Sequence, residues 1–434
     1  MNNIWQKIKL PFIEFKNGDN KLRLLMFIFA FYALTIFSTF SFAGRAKWNY
    51  VNMVINVILM AIIILYLMLY SKIRFDMVFV LFALFNILVF ISSAISGFKN
   101  FNFTILLNSM VAFFVYQILI ENPKNIRYIT YAFLIGGIAH LFHYFIIYFK
   151  PLITLDFSSR LGGYFDNQNE ASNYLLVIGI SFLYFLFYEK KKLAIIGVFV
   201  SLWFVFSTGS MSNILMFGLF ILAGLYHIFP KSKRWILFSL IGLSIVVLFV
   251  IIQIPALDYY KRRVYGIINE FLGIENEYQD GSASSRMRLA KESFFIFLRN
   301  PLFGYGFGST GRYSFNGQVS HNNFFELLSA FGIFSAFIFQ VLLFYPLKRF
   351  GAKNRNRLAD WLILFVIINQ LFLVTYTGKI EYHIIAYAWA VNTSYKYNKT
   401  YLDVKIVDKK IKFKFATSET LSEKPLENFR IDNN

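Results

Sequence analysis

Apolar runs of about 18 or more residues, the length at which a helix crosses a bilayer's hydrocarbon core, recur from the N-terminal third of this chain to near its end. Nothing else in the sequence constrains its fold so sharply. In hydrocarbon every backbone N–H and C=O must be paired within the protein, which leaves helices or closed barrels. These runs are continuous rather than alternating, so the expected class is all-α, a polytopic transmembrane bundle of about 12 spans. The expected spans are 24–42, 51–70, 77–96, 103–120, 128–149, 173–188, 193–207, 213–229, 235–254, 322–345, 358–376 and 384–395.

Charge sets the orientation. The 434 residues are 57% hydrophobic and 15% charged, with a formal net charge of +20. In a soluble chain such a charge would point to nucleic acid. Here much of it lies in short loops, at 72–74, 189–192, 230–234 and 346–357, all on one side of the expected bundle. That is the positive-inside pattern, and it puts both termini in the cytoplasm. Three divisions follow: a basic cytoplasmic lead, 1–23, without a cleavable signal; a transmembrane domain, 24–395; and a polar cytoplasmic tail, 396–434. With no cysteine, disulfides, thiolate metal sites and cysteine nucleophiles are excluded.

Polar chemistry gathers in two outer loops, 150–172 and 255–320. The larger holds Lys261, Arg262, Arg263, Arg286, Arg288, Lys291, Arg299 and Arg312 on the face opposite the basic clusters. An arginine-rich outer segment points to an anionic ligand. Two short interfacial helices are predicted there. One spans Tyr259 to Leu272; the other follows a cap at Ser284 or Ser285 and closes at Pro301. Arg286 and Arg288 begin the second, where a helix N-terminus and guanidinium together favour an anion. His321 stands at the mouth of the tenth span, with Asn322 beside it and Glu326 about one turn on. Its imidazole can take a proton near neutral pH. In the first loop, Arg160 offers a donor fork for phosphate, and Asn167 and Asn169 offer amides for sugar hydroxyls.

Other features carry less. Gly304-Tyr305-Gly306-Phe307-Gly308 imitates a nucleotide loop, but no strand precedes it, and close backbone packing is the better reading. His140 and His143 lie one turn apart without a third ligand, so they read as packing. No metal site and no cofactor is expected.

Three groups of residues together resemble the O-antigen ligase and polysaccharide polymerase superfamily. The first is Arg160, then Gly162-Gly163-Tyr164-Phe165 and Asn167-Gln168-Asn169, with Gln168 where relatives commonly have proline. The second is Ser207-Thr208-Gly209-Ser210, with Met211 replacing an arginine. The third is Ser285-Arg286, the run from Asn300 through Pro301 to Gly306, and His321-Asn322 followed by Gly332. The likeness covers about 150–345; the earlier spans agree in hydropathy alone. A large soluble C-terminal domain, found in some protein-glycosylating relatives, is not part of the pattern.

The resemblance implies a plasma-membrane glycosyltransferase of the bacterial cell envelope with an extracytoplasmic active site. Its donor and acceptor would be polyprenyl-pyrophosphate-linked oligosaccharides, and a flippase and chain-length regulator would be its partners. It would polymerise repeat units into capsule, exopolysaccharide or O-antigen. It implies a catalytic set of His321, Arg286 and Arg160, and a substrate-binding set of Arg288, Asn169, Asn322 and Glu326. A ligase that transfers the finished glycan shares these motifs. A flippase or other transporter is the non-enzyme alternative; it should place charged residues deep in spans, and none is expected here.

Overall fold

The computed structural model describes residues 20–37, 46–98, 101–154, 161, 168–230, 282–314, 317–352, 355–371 and 378–394, plus isolated positions between 232 and 269. The chain divides into Met1–Asn392 and Thr393–Asn434. Of the second unit, only the helical residues 393 and 394 are described.

The first unit is an all-α polytopic bundle. Its helices are α1 Asn20–Ile36, α2 Ala46–Tyr70, α3 Met77–Ile95, α4 Phe103–Glu121, α5 Pro123–Ile147, the short α6 Phe149–Thr154, α7 Gln168–Phe187, α8 Ala194–Ser207 and α9 Met211–Ile228. After the large loop come α10 Ser282–Arg299, the short α11 Ser309–Tyr313, α12 Asn323–Phe344, a 3-10 turn Tyr345–Arg349 and α13 Arg357–Asn369. A last helix, α14, occupies 379–394. Short side chains set several starts: Asp76, Asn102, Asn122, Asn322 and Asn356 each accept hydrogen bonds from the first backbone amides of the helix they precede. Such caps satisfy donors that have no intrahelical partner.

The bundle is built around α7, which is buried nearly all round and packs against α5, α8, α9 and α13. On one flank α1 packs against α5 and α2; on the other α12 packs against α3 and α10. Buried Tyr66 donates to Glu121 at 2.7 Å, and Lys21 pairs with the same carboxylate at 2.6 Å.

Six of the described helices are long and apolar enough to cross a membrane: Met53–Tyr70, Met77–Ile95, Phe103–Glu121, Pro123–Ile147, Gln168–Phe187 and Asn323–Arg349. Ala194–Ser207 and Met211–His227 are apolar but shorter. The expected ninth span and most of the first interfacial helix lie outside the described residues, as does the tail from 396.

Two expectations are corrected. The second loop helix starts at Ser282, not after Ser284 or Ser285. The tenth span is not one straight helix, because Gly332 (φ 76°, ψ −178°) breaks α12. Of the expected eleventh span, 358–376, α13 covers the part up to Asn369, and 372–376 lie outside the described residues.

Candidate functional site

The break at Gly332 explains how the loop ahead of α12 is held. Asn323 donates to Gln370 twice, through its backbone N to the carbonyl (2.9 Å) and through Nδ2 to Oε1 (3.1 Å). Gln340, beyond the break, donates to the same Oε1 at 2.9 Å. Each arm between Gly332 and these residues is only about 12–13 Å long. The arms of α12 therefore fold back toward each other, with Gln370 across their open end and Gly332 at the apex.

The fold-back frees backbone carbonyls and an amide at the apex, and the preceding loop pairs with them. Tyr305 N donates to Ser329 O (2.9 Å), Gly306 N to Ala330 O (2.8 Å), and Ile333 N to Pro301 O (2.9 Å). Ser92 of α3 adds a hydroxyl to Ala330 O at 2.8 Å. The approach is too close for side chains. A Cβ on Gly304 would sit 2.5 Å from the Ala330 backbone, and one on Gly332 would sit 2.1 Å from Leu302 O. The glycine-rich run is thus a backbone seam between loop and helix, as the absence of a preceding strand indicated.

Beneath the seam lies a buried hydroxyl chain. Ser293 of α10 bonds Thr310 (2.8 Å), Thr310 bonds Ser329 (3.0 Å), and Ser309 donates to Ser329 (3.2 Å). Glu326 is 1% exposed. Its Oε2 accepts from Ser320 N at 2.9 Å, and the Thr310 hydroxyl lies against its carboxylate. The carboxylate thereby fixes the residue immediately before His321.

Here the structure brings two predicted residues together. His321 is half-buried, and its imidazole is held below the usual histidine range, first by burial and second by the positive charge of Arg286. The imidazole is therefore neutral at pH 7 and able to accept a proton. The charge of Arg286 acts on it because α10 packs along the first arm of α12, with Phe294 against Phe325 at 6.1 Å between ring centres. On α10 the buried face is Leu289, Ala290, Ser293, Ile296 and Phe297; Met287, Phe295 and Leu298 are exposed and form an apolar strip suited to lipid.

The remaining predicted residues divide. Arg288 is exposed and lies 3.7 Å from Glu292, one turn on. Asn322 caps α12, its Oδ1 accepting from Phe324 N and Phe325 N (3.1 and 3.2 Å). Asn169, half-buried, begins α7, and its carbonyl accepts from Asn213 Nδ2 at 3.3 Å. Asn213 also donates to Asn173 at 2.9 Å. Arg160 lies outside the described residues, as do Gly162 to Asn167. Its neighbour Leu161 is tied down: its N donates to Ser207 O (3.1 Å) and its O accepts from Tyr144 (3.0 Å). The first loop is thus joined to the Ser207–Ser210 turn, two of the three motif groups.

One group escaped the sequence reading. Lys379, Glu381 and His383 are 7%, 4% and 1% exposed, inside the bundle rather than in a loop. The expected last span began at 384, but the helix begins at 379, with the Glu381 carboxylate folded back against Gly378. Lys379 donates to Thr35 O at 2.7 Å, and the His383 ring meets Tyr32 edge-on at 5.0 Å. These ionisable groups lie buried in the first turns of the helix, where the sequence predicts a connecting segment. The usable signal was present: ionisable residues flanked by apolar sequence are functional candidates by default.

Among the described residues no set of three or more histidine or acidic side chains could hold a metal. His140 is 6% exposed and stacks on Tyr174 at 6.1 Å, a packing role.

Residues 196–340 match the family model described as O-Antigen ligase. The segment runs from α8 into the second arm of α12. It contains the Ser207–Ser210 turn, Arg286, Arg288, the glycine seam, His321, Asn322, Glu326 and Gly332; Arg160 and Asn169 precede it. No curated protein matches the chain.

Proposed function

We propose, from the match of residues 196–340 to a family model described as O-Antigen ligase, that this protein polymerises polyprenyl-pyrophosphate-linked oligosaccharide repeat units into capsule, exopolysaccharide or O-antigen. The observation that supports the reading is the packing of α10, which begins with Arg286, along the arm of α12 that follows the half-buried His321, close enough for the Arg286 charge to act on the imidazole.

Each group has a task in such a transfer. An acceptor hydroxyl attacks the anomeric carbon of the donor, its proton passes to His321, and the bond from that carbon to the pyrophosphate oxygen breaks. Arg286 stabilises the charge growing on the pyrophosphate, where a fixed cation out of bulk water acts most strongly. It also keeps His321 in its basic form. Arg160 is the second proposed phosphate ligand, supported by the tethering of its neighbour Leu161. Arg288, exposed beside the start of α10, is proposed to meet the outer phosphate or headgroups. Asn169 is proposed to contact substrate. Asn322 Oδ1 and Glu326 Oε2 accept from backbone amides, while the buried Glu326 Oε1 has no hydrogen-bond partner among the described residues; the proposed part of these two residues is to shape the loop that carries His321. The exposed apolar strip of α10 suits a polyprenyl chain entering from the bilayer, with the site on the outer face of the plasma membrane.

The ligase reading has a specific observation in its favour, the description of the matched family. A deletion strain separates the two on a glycan gel. Single repeats on the final carrier mean a lost polymerase, and long unattached chains mean a lost ligase. Restoration by His321→Ala or Arg286→Ala to normal polymer would defeat the site assignment.

A further inference from the structure

Apolar contact presses α10 against the first arm of α12, but such contact is non-directional. It fixes neither the height nor the rotation of one helix against the other. Hydrogen bonds are directional, and a chain of them runs from α10 to α12 through Thr310. Ser293 lies seven residues after Arg286 on α10. That is two turns, so the two side chains leave nearly the same face of the helix, about 10 Å apart along its axis. Ser293 bonds the Thr310 hydroxyl at 2.8 Å. Thr310 bonds Ser329 at 3.0 Å and lies against the Glu326 carboxylate, both on the arm of α12 that follows His321. Glu326 in turn accepts from the backbone N of Ser320, at 2.9 Å.

Thr310 is also held from its other side. Two residues on in α11, Arg312 donates from Nη2 to Tyr305 O (2.6 Å) and to Phe307 O (3.2 Å). Tyr305 N belongs to the seam with α12. Thr310 is thus a post fixed to α12, against which α10 is set. Ser293, Thr310, Ser329 and Ser320 are each 0% exposed, so none of them touches substrate. Polar groups buried this deeply gain little over apolar groups of the same shape, and the effect of the chain is therefore on geometry more than on stability.

We infer, resting on the transfer proposed above, that Thr310 is a positioning residue. It joins Ser293, on the helix that carries Arg286, to Glu326 and Ser329, on the helix that follows His321, and thereby sets how the guanidinium stands against the imidazole.

The test follows diethyl pyrocarbonate modification of His321 against pH, by peptide mass spectrometry, in the full-length protein in nanodiscs. The variants are Thr310→Val, Thr310→Ser and Ser293→Ala. Valine keeps the shape of threonine and loses the hydroxyl; serine keeps the hydroxyl. With the chain broken, Arg286 is no longer held beside the ring, so the acid limb of modification should move up toward 6.5 in Thr310→Val and in Ser293→Ala. In Thr310→Ser it should stay with the parent. Adding Arg286→Gln to Thr310→Val should move it no further, because the threonine acts through the arginine. Polymer in a complemented deletion strain, normalised to membrane-inserted protein, should fall on the order of tenfold or more with valine and recover with serine, since a displacement of about 1 Å can cost about a hundredfold. A limb unmoved in the folded variants, or a serine variant that behaves as valine does, overturns the inference. So does unfolding of both Thr310→Val and Ser293→Ala, which would make the chain a support of the bundle. A parent that restores no polymer, while the limb moves as expected, overturns the proposed transfer and leaves the positioning of Arg286 against His321 standing.

Discussion

Asn323 and Gln370 are joined by two hydrogen bonds, backbone to backbone at 2.9 Å and amide to amide at 3.1 Å. The same Gln370 oxygen also receives Gln340. One amide thus clasps both arms of the broken helix and fixes the start of the arm that follows His321. Gln370→Leu removes the side-chain acceptor that Asn323 Nδ2 and Gln340 Nε2 share. A hydrogen bond contributes about 0.5–1.5 kcal/mol net, and two are lost here. The variant should unfold several degrees lower, measured by fluorescence-detected size exclusion after heating. Unchanged unfolding would mean that the arms hold together without the clasp.

The apex is more stringent. Gly332→Ala forces a side chain into a left-handed conformation and places its Cβ 2.1 Å from Leu302 O. At φ 76° and ψ −178°, a region essentially restricted to glycine, the conformational part alone costs on the order of 1–3 kcal/mol, and the backbone overlap adds more because neither segment can move without breaking the seam. Gly304→Ala meets the same obstacle from the other side, at 2.5 Å. Both should reduce the yield of folded protein well below that of Gly218→Ala, whose added Cβ meets nothing within 4 Å. Equal yields of all three would show that the seam is loose.

The extent to which this was legible in the sequence follows from the range of each interaction. Continuous apolar runs report their own helices, because pairing within a helix is local. Arg286 and His321 could be named as a pair because the polar residues of an apolar chain are few. The fold-back was hidden: Gly332 inside an apolar run reads as an ordinary helix residue, and only Gln370, 38 positions on from it, reveals the turn by its partners. Lys379, Glu381 and His383 read as a connecting segment because the apolar stretch of the last span opens only at 384. The helix nevertheless starts at 379, with the Glu381 carboxylate close to Gly378, and burial by neighbouring helices is not encoded in that stretch at all.

Those buried groups give a prediction of their own. Lys379 donates to Thr35 O across helices, and a buried ammonium loses much of its hydration. Lys379→Met keeps the length and removes the charge. If the lysine is a structural tie, the variant should be folded and close to the parent in stability, since replacing a buried charge by an apolar side chain is often neutral. Glycan synthesis should then continue. Loss of synthesis with unfolding unchanged would instead put Lys379 in the working site.

Glu326 separates shaping from chemistry. Its Oε2 accepts from Ser320 N, so Glu326→Gln keeps an acceptor, whereas Glu326→Leu leaves that buried amide unsatisfied. A shaping role predicts that glutamine retains most activity and leucine loses ten-fold or more, in proportion to displacement of the His321 loop. A role as proton acceptor predicts that both variants fail alike, since neither carries a carboxylate. Activity is read as polymer length and amount in a complemented deletion strain, normalised to membrane-inserted protein.

The pH dependence follows from the His321 environment. Burial and Arg286 both disfavour the imidazolium, so the folded-state pKa lies below the ordinary value of 6.5. An unfolded chain therefore binds the proton more readily between those two values. Stability contributed by the neutral ring is complete above about pH 6.5 and declines as pH falls toward the lower, folded value. Activity that needs the neutral base should hold through pH 6.5 and fall only below it. Arg286→Gln removes one of the two causes, so its acid limb should move up toward 6.5, alongside any loss in rate from weaker pyrophosphate binding. The rate of diethyl pyrocarbonate modification of His321, followed against pH by peptide mass spectrometry, reports the same titration without needing turnover. A limb that stays in place in Arg286→Gln would mean that the guanidinium does not act on the imidazole, and the pairing at the centre of the proposed mechanism would have to be abandoned.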